Sequence, residues 1–513
     1  MTQIGENAAA RAEAVPAGAG WWAALALVAF AVAQQCVGHQ NADNSWLFTV
    51  AEKTLDGARP YVDVLETNPP ASFILYMPAA LIARATGLTT EFVVSAAMFI
   101  GAGLCLAVAA RTLARAGLLP AGERAILPPA AVFALIVVPG FAFGEREHVA
   151  LLWVLPMLAV HAARMNGVAP SARSLALAGA LAGLAMAIKP FFALAIGLSV
   201  LGVAWRARSP RPLFAPENFW AAAVVILYTG AVYAFFPGFF LALPAIVDAY
   251  VPVRVHMPEL LSEPWFLLNA ALFAAALLIG GRECLAPRIL PLLAASVGFA
   301  GAYFWQGKGW MNHELPAVSL DCLAIALLAA PMLVELARDG ASSAWSKARP
   351  VLLYAALPAI VCAPVVFGAA FQWSGAEEHA GLMAATRRDA PPHPKIMALS
   401  PQLTAGFPLT RRVDGEWVGR AQRLWLTVSA RMILDANIGD DAYRARLRGY
   451  IARDTGDFLA DVRANKPDII LVDTDARITK AIEDIPALAA ALEGYEPRET
   501  ADDLVVWTRA SRP

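Results

Sequence analysis

A handful of ionisable residues lie where a mostly apolar chain has little reason to keep them. After the first apolar run comes His39-Gln40-Asn41-Ala42-Asp43-Asn44-Ser45-Trp46. Asp43 falls about five residues beyond that run, near the edge of a bilayer, where a carboxylate can take a proton from an attacking hydroxyl. The same residue could instead cap a helix starting near Ser45. Three further patches carry mixed charge: Phe143-Gly144-Glu145-Arg146-Glu147-His148, Ile188-Lys189-Pro190, and Gln306-Gly307-Lys308-Gly309-Trp310-Met311-Asn312-His313-Glu314. Arg146, Lys189, Lys308 and His313 are the cations of these patches, and a leaving phosphate is stabilised by fixed cations as its charge develops. Headgroup snorkelling is the plainer alternative for each one.

The elements that hold these residues are set by composition. Of 513 residues, 58% are hydrophobic and 16% charged, with a mean hydropathy of +0.55 and net charge −1. Soluble globular chains carry roughly a quarter charged residues. The charges are uneven: 28% of residues from Gln372 onward are Lys, Arg, Asp or Glu, against 11% before it. An oily body thus precedes a soluble tail. No basic cluster with interleaved aromatics is present, so nucleic acid is not an expected partner. The five cysteines, Cys36, Cys105, Cys284, Cys322 and Cys362, lack metal-ligand spacing and read as small core residues.

A membrane-crossing helix needs about 20 apolar residues. Runs near that length fall at 21–38, 91–112, 126–142, 147–163, 173–188, 190–205, 218–236, 264–281, 286–304, 313–335 and 350–371. These predict a mainly α, polytopic membrane protein of about 11 transmembrane helices. The stretch 69–83 is shorter and opens on Pro69-Pro70. If it does not cross, the loops divide thirteen Lys and Arg against seven, which by the positive-inside bias puts the N-terminus in the cytoplasm and the tail outside. The segment is therefore expected to lie as an interfacial or re-entrant helix on the outer face. The first run reads as an uncleaved anchor, although Ala31-Val32-Ala33 resembles a cleavage site.

In the tail, Lys395–Leu399 and Lys466–Asp473 read as strands, Ala421–Arg453 as helix with Leu424, Trp425, Val428 and Met432 on one face, and Asp503–Thr508 as a last strand. The alternation predicts a small α/β domain. Asp473 and Asp475 are read as a turn that ends a strand. The expected domains are 1–371, with 39–90 as first outer loop, and 372–513.

Asp43-x-x-Trp46, Ala51, Leu55, Gly57, Pro60-Tyr61-x-Asp63 and Asn68-Pro69-Pro70-x-x-x-x-Leu75-Tyr76 together resemble the first outer loop of the GT-C glycosyltransferases. The pattern is similar to that of aminoarabinose transferases, protein O-mannosyltransferases and rhizobial core-galacturonosyl transferases. Gly494-Tyr495-x-Pro497 and Asp503-Leu504-Val505-Val506-Trp507 resemble the terminal strand pair of their outer domains. The resemblance implies a bacterial inner-membrane hexosyl- or pentosyltransferase with a polyprenyl-phosphate sugar donor, inversion at the anomeric carbon, and a lipid or glycan acceptor of the cell envelope. Membrane lipids would be its other partners.

Asp43 takes the place of the family's catalytic acid. Glu66, Glu145 and Glu147 are candidates to assist it, or to hold a divalent metal (Mg or Mn) with it. Aminoarabinose transferases carry a lysine just before the double proline, thought to touch the donor phosphate. Here Glu66-Thr67-Asn68 stand there, which moves that role to Arg146, Lys189, Lys308 or His313. Two other readings fit part of the pattern: a flippase or transporter of lipid-linked saccharide, and a polysaccharide polymerase or ligase.

Overall fold

The computed structural model describes residues 17–38, 40–123, 125–339, 363, 366, 368, 370 and 379–510. Among these, seven helices are long and apolar enough to cross a membrane: Gly20–Val37, Thr90–Arg115, Arg146–Met165, Pro190–Ala207, Pro216–Phe235, Pro264–Leu285 and Met311–Val334. The runs expected at 126–142 and 173–188 form shorter apolar helices, Leu127–Val137 and Ala172–Ile188, and the run at 286–304 is the helix Leu290–Gln306. The run at 350–371 lies almost wholly outside the described residues, as do His39 and Cys362. The 69–83 segment folds as Ala71–Ile74 and Met77–Thr86. At 1.5 Å per residue the pair spans about 24 Å, less than the hydrocarbon core. A further short apolar helix, Pro237–Tyr250, has no counterpart in the expected spans.

Cα packing groups the chain into two compact units. The first comprises Met1–Gly38, Ser95–Thr229 and Val255–Phe371; the second comprises His39–Val94, Gly230–Arg254 and Gln372–Pro513. The tail, expected to be its own domain, is thus grouped with the first loop and with a segment from mid-chain.

Helix packing in the first unit depends on missing side chains. Gly179 and Gly183 sit one turn apart, and a Cβ on either would come within 2.2 Å of the Glu217 carbonyl oxygen or 2.7 Å of the Ala221 carbonyl oxygen. Small residues at this spacing let two membrane helices approach backbone to backbone. Beside that contact, the guanidinium of Arg164 meets buried Glu217 through Nε at 2.5 Å and Nη2 at 2.7 Å.

The second unit carries a five-stranded sheet in the order β2-β1-β3-β5-β4. The strands are β1 Lys395–Leu399, β2 Glu416–Trp417, β3 Ile469–Asp473, β4 Tyr495–Ala501 and β5 Leu504–Arg509. β1 pairs parallel with β2 and β3, and β5 runs antiparallel between β3 and β4. Every residue of β3 is buried, as its unbroken apolar run requires of a central strand. The stretch read as one helix is two, Trp425–Asp435 and Asp441–Asn465, because Asn437 (φ 54°) and Gly439 (φ 84°) turn the chain left-handed between them. Leu424, Trp425 and Val428 are buried as expected, but Met432 is 42% exposed. Asp473 and Asp475 do close a turn: Asp473 Oδ1 accepts from the Asp475 amide, and Asp475 then accepts from the Arg477 amide as a helix cap.

Candidate active site

In the second unit the helix Ala42–Leu55 begins on Asn41, whose side chain accepts from the Asn44 amide at 3.0 Å. Asn41 is therefore the cap, and the capping alternative for Asp43 falls. Asp43 lies in the first turn and is only half-buried, while Ala42, Asn44, Ser45 and Trp46 around it are buried. A carboxylate in the first turn gains from the helix dipole.

Two anchors fix this helix. The first is Glu66, 2% exposed, whose Oε2 accepts from Trp46 Nε1 at 2.5 Å. Its Oε1 accepts from the amide and side chain of Asn68 at 2.9 and 2.5 Å. Glu66 ties the loop together through both oxygens. The second is Arg411 of the tail, whose Nη1 and Nη2 reach the two carboxylate oxygens of Glu52 at 2.6 and 3.0 Å, while its Nε donates to Glu91. Burial opposes the Arg411 charge, yet the hydrogen bond to Glu52 and the charge of Glu91 hold it above the usual arginine range. Beyond Leu55, Pro60-Tyr61-Val62-Asp63 makes a tight loop with Tyr61 at φ 66°. Asp63 accepts from the amide and guanidinium of Arg59, which lowers its carboxyl to about 2.

The first unit brings together the other patches. Arg146, Glu147 and His148 open the helix Arg146–Met165 and are all buried. Lys189 follows the helix Ala172–Ile188, and His313 lies in the first turn of Met311–Asp339. The Lys189 ammonium has Glu147 Oε1 at 2.5 Å, Gln306 Oε1 at 3.1 Å and His313 Nε2 at 3.2 Å. Arg146 and Lys308 lie close enough to act electrostatically on His313. Lys308 is held between two left-handed glycines, Gly307 (φ 62°) and Gly309 (φ 69°). Glu145 accepts from the Asn312 side chain.

His148 has a different place. Its Nδ1 accepts from the Gly144 amide at 3.1 Å and its Nε2 donates to the Leu135 carbonyl at 2.8 Å, which fixes the hairpin.

All four candidate phosphate cations therefore belong to one cluster with Glu147. Asp43 and Glu66 belong to the second unit, where Glu66 is an anchor. Gln306 and Asn312 were visible in their patch without an assigned role. Nothing local marks Arg411, because its partners lie 320 and 359 residues away in sequence. Among the described residues no group of three or more His, Cys, Asp or Glu is arranged to hold a metal ion. Glu147, a candidate metal ligand by sequence, is bound to the Lys189 ammonium.

No family model matches the sequence, and a search of curated proteins finds no match either. Solved structures do match. ArnT from Cupriavidus metallidurans bound to undecaprenyl phosphate aligns over 96% of this chain and 98% of its own, with TM-score 0.54 and 14% identity. Its apo state gives TM-score 0.53 and 12% identity over the same shares. The chain has the fold of ArnT. That likeness meets the expected architecture, a polytopic helical body with a C-terminal sheet domain.

Proposed function

We propose that this protein is a bacterial inner-membrane glycosyltransferase that moves a sugar from a polyprenyl-phosphate donor to a lipid or glycan of the cell envelope. The observation that carries this reading is the near full-length match to ArnT, a protein seen with undecaprenyl phosphate. The buried cations of the first unit support it. In an apolar body, charge is costly unless function keeps it there.

In this reading the acceptor hydroxyl gives its proton to Asp43, or is oriented by it, and its oxygen attacks the anomeric carbon. The bond from that carbon to the phosphate oxygen breaks, and the sugar is inverted. Polyprenyl phosphate leaves with the bonding pair, and fixed cations stabilise the charge that forms on it. Glu66 positions the loop that carries Asp43. The N-terminus is cytoplasmic, the tail is periplasmic and helps grip the acceptor, and the transmembrane module is 1–371.

The deciding experiment uses the purified full chain in detergent with a panel of undecaprenyl-phosphate sugars and envelope lipid extract as acceptor. Transfer from at least one donor, lost in Asp43→Asn with donor binding kept, supports the proposal. Donor binding without transfer in the wild type returns the transporter reading. Full transfer by Asp43→Asn removes Asp43 from the chemistry.

A further inference from the structure

An ammonium group has three N–H donors and no lone pair. Lys189 has three acceptors within 3.2 Å, so its contact with His313 Nε2 makes that nitrogen an acceptor and leaves the ring proton on Nδ1. His313 Nδ1 is buried and has no hydrogen-bond partner among the described residues. The same holds for Glu147 Oε2. Both side chains are 3% exposed or less. Such orphan groups in a native interior ask for a partner that the protein itself does not supply.

The two orphans are complementary, one a donor and one an anionic acceptor. They also flank one contact: Glu147 Oε1 and His313 Nε2 are 3.5 Å apart, and each orphan atom is one bridging carbon further on. A phosphate oxygen could accept from Nδ1–H but would be repelled by Glu147 Oε2. Hydroxyl groups satisfy both, donating to the carboxylate and accepting from the imidazole. Next to them Trp310, 40% exposed, holds its ring 5.4 Å from that of His313 and offers an aromatic face to the C–H side of a sugar ring.

We infer that Glu147 and His313 recognise hydroxyl groups of the donor sugar, that Trp310 packs on its C–H face, and that Lys189 is a positioning residue which fixes the histidine tautomer. This rests on the polyprenyl-phosphate-sugar reading above. It assigns Lys189 and His313 away from the phosphate and leaves that to Arg146 and Lys308.

The test compares two ligands on the purified full chain: undecaprenyl phosphate without sugar, and the undecaprenyl-phosphate sugars of the panel. His313→Phe should weaken sugar-donor binding about tenfold, the loss of one hydrogen bond to a buried partner, and leave the bare lipid phosphate unchanged. His313→Asn, which keeps an N–H near Nδ1, should restore most of the loss. Trp310→Ala should show the same selectivity, and it decides alone if a melting curve shows that His313→Phe does not fold. Equal weakening toward both ligands, or no change toward either, overturns the inference and leaves the enzyme reading intact. A wild-type chain that binds no sugar donor more tightly than the bare phosphate overturns both.

Discussion

The carboxylate of Glu147 and the ammonium of Lys189, 42 residues apart in sequence, meet at 2.5 Å with 0% and 6% of their side chains exposed. Breaking a buried pair on one side leaves the other charge uncompensated, at a cost of roughly 3–5 kcal/mol. Lys189→Met should therefore unfold the protein at markedly lower temperature. The double variant Glu147→Gln with Lys189→Met should recover most of that loss in thermal unfolding of detergent-solubilised protein. A double variant no more stable than the single one would show that the pair is not coupled.

Arg411→Ala removes both hydrogen bonds to Glu52 and the one to Glu91. Bonds to charged groups contribute about 1.5–3 kcal/mol each, less when partly exposed. The expected outcome is local: faster proteolysis between Glu52 and Glu91, with turnover falling more than donor binding. Unchanged cleavage in that window would show that Arg411 does not hold the loop.

Asn41→Ala deletes the cap of the helix that carries Asp43 and should cost about 1 kcal/mol of stability. Asn41→Asp, which still accepts from the Asn44 amide, should keep it. Equal stability of the alanine variant and the wild type would mean that the cap is dispensable.

Asp454 gives a pH prediction. It is buried and accepts from the amide and hydroxyl of Thr427 at 3.0 and 2.6 Å, and burial raises its carboxyl to about 6. A folded-state value above the unfolded one means that the native state binds more protons between pH 4 and 6. Stability should then fall as pH rises through that window, by on the order of 2 kcal/mol, and level off above it. Asp454→Asn keeps an acceptor for Thr427, so it should flatten the slope and raise stability at pH 7. Equilibrium unfolding across pH 4–8 checks both, and a slope unaltered in Asp454→Asn would assign it to another group.

Buried Glu314 has no hydrogen-bond partner for either carboxylate oxygen among the described residues. Leaving such a group unsatisfied costs about 1–3 kcal/mol, so Glu314→Met should raise the melting temperature. A lower melting temperature would reveal a partner or ligand for this acid.

Much of the architecture was legible because bilayer thickness writes itself into run length. Seven of the expected runs are helices long enough to cross, and Pro69-Pro70 marks a segment that is too short. The Pro237–Tyr250 helix was missed because it is apolar without being long. The two-residue strand β2 left no pattern at all. At the site, residue types marked the patches but not their pairing. Glu147 and Lys189 could be read only as separate charges, and Glu66 looked reactive until its two oxygens were seen holding Trp46 and Asn68. Asp43 is by residue type as good a cap as a base, and only the structure gives the capping place to Asn41.

The Arg411 contact also bears on inheritance. A chimera that grafts the C-terminal segment of a relative onto this body would separate a guanidinium from the two acids it grips. The loop after the first anchor and the segment around Arg411 should therefore be exchanged together, and a library of recombined homologues would keep only parents' combinations at these three positions.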